Sequence, residues 1–339
     1  MLSFLVFADL HYKKGMYAVT VQHLKQIMNR AYENRVDFVL HAGDFSNDYK
    51  GSPEIVKTYL ENEYDLSVYG IYGNHELESK NNSMESVTPL LNNDCKVVWG
   101  TEDGSLGDGS IGYYWFEKKG CRFVCVDTNY SYNEALQAWE HNRTASWGAL
   151  AGNRHPDSLG PEQLRWLETV LTDAAKKAIP CILVSHMGFV ASRRCSPDTE
   201  AVKMLIRKAN GITPGTVKMC INGHEHTNHL EMEDGVLYFD VNAVINGSWV
   251  PKQEQHYGEN HTFELENYDN QGKLLDTKTV PLRDLWQSVN THYFRDPLSA
   301  IVTIEDDGTI KVTGSETGWL YDVEPVDPLP GIMPWISTL

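Results

Sequence analysis

Short apolar runs closed by polar loops alternate with amphipathic stretches through the first two thirds of the chain. Residues 2–8 form the first run and predict a buried strand. Residues 17–34 place Val21, Leu24, Ile27, Met28 and Ala31 three or four positions apart, the spacing of one helix face. Residues 36–40 predict a second strand and residues 66–72 a third, with a helix near 53–62 that carries Pro53 in its first turn. Strand, loop, helix and strand in this order is the pattern of β-α-β units, and hence of an α/β fold.

Residues 81–92 predict another helix. From about 95 to 130 the period shifts toward two, with strands expected at 96–99, 111–116 and 122–127 and a glycine-rich break at 103–109. Residues 131–160 are the least regular part, with Trp139, His141, Arg143, Trp147, Arg154 and His155 among small polar residues. So long a stretch is either a substrate-facing lid or a surface excursion with its own aromatic cluster. Leu164, Leu167, Val170 and Leu171 then mark a helix opening near 159, followed by a strand at 181–185, a helix near 198–209 and a strand at 217–221. Residues 229–250 predict two or three antiparallel strands with a turn at 233–235. Asp306-Asp307-Gly308 between residues 300–305 and 309–313 is a hairpin signal. Composition changes after about 255, which divides the chain into a main domain, 1–254, and a C-terminal extension, 255–339, packing on the core.

Bulk properties narrow the class. Hydrophobic residues make up 41% of the 339 and charged residues 22%, values of an ordinary globular protein. The net charge is −17, from 29 Lys+Arg against 46 Asp+Glu, and such a field disfavours a long nucleic-acid partner. None of the six cysteines sits in a C-x-x-C spacing, so reduced thiols are expected. The N-terminal run lacks a basic lead and passes straight into Asp9 and His11, and no stretch reaches the roughly 18–20 apolar residues of a membrane helix. A cytoplasmic protein with no membrane partner is the expectation, with a trimmed form of an exported protein as the alternative.

Five blocks carry the chemistry: Asp9-Leu10-His11, Gly43-Asp44, Gly73-Asn74-His75-Glu76, Ser185-His186 and Gly223-His224-Glu225-His226. Each follows an apolar strand-like run, and in open α/β folds the carboxyl ends of the strands line the ligand crevice. Carboxylate, amide oxygen and imidazole without thiolate suit ions such as manganese, iron or zinc. The donors are enough for two ions side by side, which at about 3.5–4 Å apart can clamp a phosphoryl group.

These blocks, in this order, resemble the calcineurin-like metallophosphoesterase superfamily over roughly residues 2–250. The resemblance implies a four-layer α/β/β/α sandwich, two mixed β-sheets flanked by helices. It implies that Asp9, His11 and His226 bind one metal, that Asn74, His186 and His224 bind the other, and that Asp44 bridges them. It further implies phosphoester hydrolysis by in-line attack of a hydroxide bridging two Mn, Fe or Zn ions, with His75 as general acid and charge stabiliser. The expected substrate is a small-molecule phosphoester, monoester or diester. The rival reading is a metal-binding scaffold without catalysis.

Departures sharpen the resemblance. Purple acid phosphatases carry a Tyr ligand three residues after the bridging Asp, where this chain has Asn47. Protein Ser/Thr phosphatases have an Arg-bearing continuation where this chain reads Phe45-Ser46-Asn47-Asp48. Arg193 and Arg194 are candidate phosphate clamps or a solvated loop. Asp48 is a candidate to orient His75, His41 is expected to be structural, and His229 is either close behind the ligands or exposed.

Overall fold

The computed structural model describes residues 1–12, 21–46, 65–77, 83–92, 96–134, 136–141, 158–190, 195–244, 246–249, 262–268, 273–281, 291–294, 296–315, 317 and 336–338. The helix expected at 53–62 lies outside them. Strand β1 (Leu2–Phe7) is apolar on both faces because it lies between two layers. Helix α1 (Val21–Glu33) buries Leu24, Ile27, Met28 and Ala31 in the same core. Strands β2 (Phe38–His41) and β3 (Ser67–Gly70) extend the sheet from β1, each parallel to its neighbour.

The stretch expected to be helical at 81–92 is shorter. Helix α2 (Met84–Val87) begins at a Ser83/Ser86 capping box and passes at once into a 3-10 turn, Thr88–Leu90, that contains Pro89. Proline lacks the N–H that would continue the α ladder. Strands β4 (Val98–Trp99), β5 (Tyr114–Lys118) and β6 (Cys121–Cys125) follow as an antiparallel set. The region read as irregular starts with a hairpin, β7 (Tyr130–Asn133) and β8 (Ala138–His141). His141 Nε2 pins it to Asp127 Oδ2 at 2.8 Å. Polar residues on both faces leave no apolar alternation to read.

Helix α3 (Gly160–Lys176), strand β9 (Cys181–Val184), helix α4 (Thr199–Ile212) and strand β10 (Val217–Asn222) alternate as the periodicity predicts. Strands β11 (His229–Glu233) and β12 (Val236–Asp240) form the expected hairpin. Strand β13 (Asn246–Trp249) does not join it. Strands β14 (Thr262–Tyr268) and β15 (Leu274–Pro281) pair with each other, and β16 (Thr291–Tyr293) pairs with β13. Strands β17 (Ala300–Ile304), β18 (Ile310–Gly314) and β19 (Ile336–Thr338) enter the first sheet through β1. Part of the segment set apart as an extension therefore shares the sheet that carries the first ligand loop.

Two sheets result, ordered β19-β18-β17-β1-β2-β3 and β11-β12-β10-β9-β6-β5-β4. They are mixed, and helices flank them. Alternation along β6 shows the layering: Phe123 and Cys125 join the core shared with β1 and β2, while Val124 joins α3 and α4 on the other face. Rings fill the space between sheets, with Phe123 edge-on to Phe4 at 5.2 Å and to Phe38 at 5.0 Å. Each such ring removes about 1.5–3 kcal/mol worth of apolar surface from water. Cys121, Cys125, Cys181 and Cys220 are buried free thiols, and Cys195 is a partly exposed one. Among the described residues no helix is long and apolar enough to cross a membrane.

Candidate metal centre

The parallel pairing of β1 with β2 runs on beyond the strands and zips two ligand loops together. Asp9 N–H donates to the Gly43 carbonyl at 3.0 Å and His11 N–H to the Asp44 carbonyl at 2.8 Å. The loop after β10 joins them, since His224 N–H donates to Asp9 Oδ2 at 2.9 Å. Gly223 N–H donates to the His186 carbonyl at 3.2 Å, and His186 Nδ1 donates to the Ala42 carbonyl at 2.8 Å. The loop after β3 is tied in by His75 N–H, which donates to Asp44 Oδ1 at 2.9 Å.

These loops hold unusual backbone. Asp9 (φ 52°), His11 (51°), Asp44 (52°), His224 (72°) and His226 (52°) are five of the ten non-glycine residues with positive φ among the described residues. Each such residue costs about 1–3 kcal/mol, and strain of this kind gathers where geometry serves a site. Two glycines permit the crowding. A Cβ on Gly73 would lie 2.0 Å from Asp44 Oδ1, and one on Gly43, itself at φ 90°, would lie 2.5 Å from His186 Nδ1.

The structure brings the expected donors from both sheets to one place. His11 Nε2 is 3.1 Å from His226 Nε2 and 3.7 Å from Asp9 Oδ1, and His226 Nε2 is 3.3 Å from Asp9 Oδ1. His186 Nε2 is 3.2 Å from Asp44 Oδ2 and 4.0 Å from Asp9 Oδ1. Asp9/His11/His226, His11/Asp44/His75 and Asp9/Asp44/His186 each place donor atoms within 4.8 Å of one another, as a metal ion requires. Donors about 2.0–2.2 Å from one cation stand roughly 3–3.5 Å apart. Two of the three spacings in the first group, 3.1 and 3.3 Å, fall in that range. Asp9 Oδ1 and His186 Nε2 are buried and have no hydrogen-bond partner among the described residues. A buried carboxylate oxygen in that state calls for a cation.

Electrostatics agree with this layout. Burial raises the Asp9 pKa, but the charge of His226 and the neighbouring His11 and His186 imidazoles outweigh it and hold the carboxyl below its usual range. Asp44 is likewise held well below, burial being outweighed first by His186 and then by His75. His186 responds in reverse. Burial lowers it, yet the Asp44 charge beside it pushes it up to about 10.

Asn74 and His224 face each other, with His224 Nδ1 3.0 Å from Asn74 Oδ1. The His75 ring stands edge-on to His11 at 4.8 Å, with Nε2 3.9 Å from Asp44 Oδ2. Its side chain is 11% exposed against 2% for His11, Asp44 and His186, so it sits at the mouth of the cluster. Arg193, Arg194, Asn47 and Asp48 lie outside the described residues. His41 is buried against Phe45, 4.7 Å between ring centres, in a structural role. His229 is partly exposed, its Nδ1 3.2 Å from Asp240 Oδ2.

Sequence reasoning gave no role to Glu76. It is fully buried and accepts the Gly73 N–H at 2.6 Å and the Ser46 N–H at 3.2 Å. Burial, then the nearby Asp44 charge, pushes its carboxyl up to about 8. The available signal was its place as the fourth residue of Gly-Asn-His-Glu.

Comparison with known proteins bears on this geometry. The family model for calcineurin-like phosphoesterases matches residues 2–228. No curated protein matches the chain. Among solved structures, a dimetal phosphatase from Danio rerio is 18% identical, covering 94% of this chain and 98% of its own, with a TM-score of 0.55. GAP50, the anchor in the inner membrane complex of Plasmodium, is 12% identical, covering 100% and 88%, with a TM-score of 0.48. A putative 5'-nucleotidase from Staphylococcus aureus is 12% identical, covering 83% and 54%, with a TM-score of 0.42. The first likeness bears on the fold alone.

Proposed function

Because the chain belongs to the calcineurin-like phosphoesterase family, we propose that it hydrolyses phosphoesters at a centre of two divalent cations. Asp9, His11 and His226 would hold one, Asn74, His186 and His224 the other, and Asp44 both. When bound, such a pair neutralises phosphate charge and lowers the pKa of water at the centre. The chain's own residues do the rest. The zipped loops after β1 and β2 hold the carboxylates in place before any ion arrives, so little reorganisation is left for the reaction. His75 stands at the exposed edge of the cluster, where its ring can donate a proton to the leaving oxygen. Its backbone N–H is held by Asp44, which keeps the ring near the bridging carboxylate.

The observation that carries this reading is the convergence of Asp9, His11, Asp44, His75, His186 and His226 donors in three overlapping groups. The net charge of −17 favours a small phosphoester over a nucleic-acid chain. The test loads purified protein with manganese and follows hydrolysis of p-nitrophenyl phosphate and bis-p-nitrophenyl phosphate beside a chelated control. A panel of nucleotides, cyclic nucleotides, sugar phosphates and phospholipid headgroups then separates monoester from diester preference by kcat/KM. Two bound ions with no turnover on any ester would overturn the proposal in favour of a non-catalytic scaffold.

A further inference from the structure

The ligand loops are joined to one another unequally. The loops after β1 and β2 share three backbone hydrogen bonds, Asp9 to Gly43, His11 to Asp44 and Tyr12 to Phe45. The loop after β10 joins the one after β9 through Gly223 N–H and the His186 carbonyl. The loop after β3 meets the loop after β2 differently. One bond uses Asp44 Oδ1, an oxygen on a carboxylate that cations would also claim. The other is made by Glu76, whose Oε1 takes the Ser46 N–H at 3.2 Å while its Oε2 takes the Gly73 N–H of its own loop at 2.6 Å.

Glu76 therefore spans two ligand loops with one fully buried carboxylate. Gly73 immediately precedes Asn74, and Ser46 lies two residues past Asp44. Its reach extends to a third loop, since Tyr12 and Ser46 form a backbone bridge. A buried carboxyl group accepting backbone N–H groups on both oxygens fixes their separation in a way no single-oxygen acceptor can. Asn74 is the one expected ligand that reaches the centre from the β3 side, so whatever sets that loop sets one of the second ion's four expected ligands.

We propose that Glu76 is a positioning residue that holds Asn74 and His75 in register with Asp44, and so governs binding of the second cation and its separation from the first. The proposal rests on the dinuclear reading above. It gives Glu76 no contact with substrate or metal. Its chemistry is the double acceptance of amides, which glutamine cannot reproduce. In E76Q one oxygen remains, and the new –NH2 is set against a backbone N–H.

The test strips the full chain of metal and titrates it with Mn2+ by calorimetry, alongside electron paramagnetic resonance of the two-equivalent sample. Wild-type protein is expected to take up two ions and give an exchange-coupled signal. E76Q is expected to bind the first ion as wild type does and the second about 10- to 100-fold more weakly, the usual size of effects transmitted through a ligand's supporting partner. Its spectrum at two equivalents is expected to turn toward the six lines of isolated Mn2+. E76D keeps two acceptors on a stem one methylene shorter and is expected to fall between. A role in stability alone would lower the melting temperature and leave the selective loss of the second ion unseen. Wild-type uptake and coupling in E76Q would overturn the proposal. If E76Q does not fold, E76D decides: a weakened second ion supports it, and unchanged binding overturns it. Wild-type protein that takes up fewer than two ions points instead to failure of the dinuclear reading.

Discussion

The two halves of the donor cluster use the same chemistry and stand in different states. Around Asp9, His11 and His226 the donors lie 3.1–3.7 Å apart, and Asp9 Oδ1 lacks a hydrogen-bond partner among the described residues. Around Asp44 and His186 the donors stand 3.2 Å apart as an ion pair, with His186 Nε2 likewise lacking a hydrogen-bond partner among the described residues. In the first half Asp9 is held below its usual range, and in the second His186 is pushed up to about 10, so at neutral pH an ion there must displace a proton. Identical residue types thus do not imply equal readiness. Ions are expected to load in order, the half at Asp9 first.

The largest break in that comparison comes from Asp44, which touches both halves. D44N should lose the second ion and bring turnover down to that of chelated protein, measured together by metal analysis and aryl phosphate hydrolysis. Undiminished activity would remove Asp44 from its bridging role. H75A should act on neither half. It should keep both ions and lose about 10²- to 10⁴-fold in kcat, the usual range for a general acid. The loss should be greatest for poor leaving groups, which need the proton most. Loss of metal in parallel with rate would instead make His75 a ligand.

A pH series sharpens the contrast. His186, pushed up to about 10 by Asp44, binds more protons in the folded chain than its ordinary value of 6.5 allows in the unfolded one. A raised group of this kind stabilises fully below 6.5, and its contribution fades as pH climbs from 6.5 to about 10. The metal-free chain should therefore lose stability across that window. A cation needs the neutral imidazole, so the second ion should displace one proton at pH 7, and its affinity should rise about tenfold per pH unit. Calorimetry in two buffers of different ionisation heat counts that proton. Loading without proton release would mean that the His186–Asp44 pair is open in solution and the two halves are alike.

How much of this was legible beforehand follows from what local pattern can encode. The ligand loops were readable because each donor block ends an apolar run, as in 2–8 before Asp9 or 217–221 before His224. The α/β class followed from the same alternation, and the four-layer arrangement of two sheets was what the family resemblance implied. Pairings between distant segments were not readable. β13 meets β16, and β17 joins β1 across almost the whole chain, and neither choice leaves a mark on neighbouring residues. The β7–β8 hairpin was hidden because its burial inverts the usual pattern, with Tyr132 and Trp139 exposed and Ser131 buried. Glu76 was hidden for another reason. An acidic residue after His75 carries no local sign of burial, which follows only from two amides, Gly73 on its own loop and Ser46 on the loop after β2.

The smallest expected effect concerns His229, which the sequence left between two roles. The structure sets its Nδ1 3.2 Å from Asp240 Oδ2 and its Nε2 3.5 Å from Glu231 Oε2, with 23% of the side chain exposed. Asp240 has a better-buried partner in the Asn222 amide, which donates to Oδ1 at 2.5 Å at the base of the His224–His226 loop. Losing His229 therefore leaves that anchor in place. A partly exposed pair of this kind contributes at most about 1 kcal/mol. H229A should accordingly melt within a few degrees of wild type and bind both Mn2+ ions with affinities changed less than about threefold. D240N tests the anchor itself, because Asn222 then meets an amide in place of a carboxylate. A tenfold loss of metal affinity in H229A would put His229 behind the His224–His226 loop as a working support and make Asp240 the link between them.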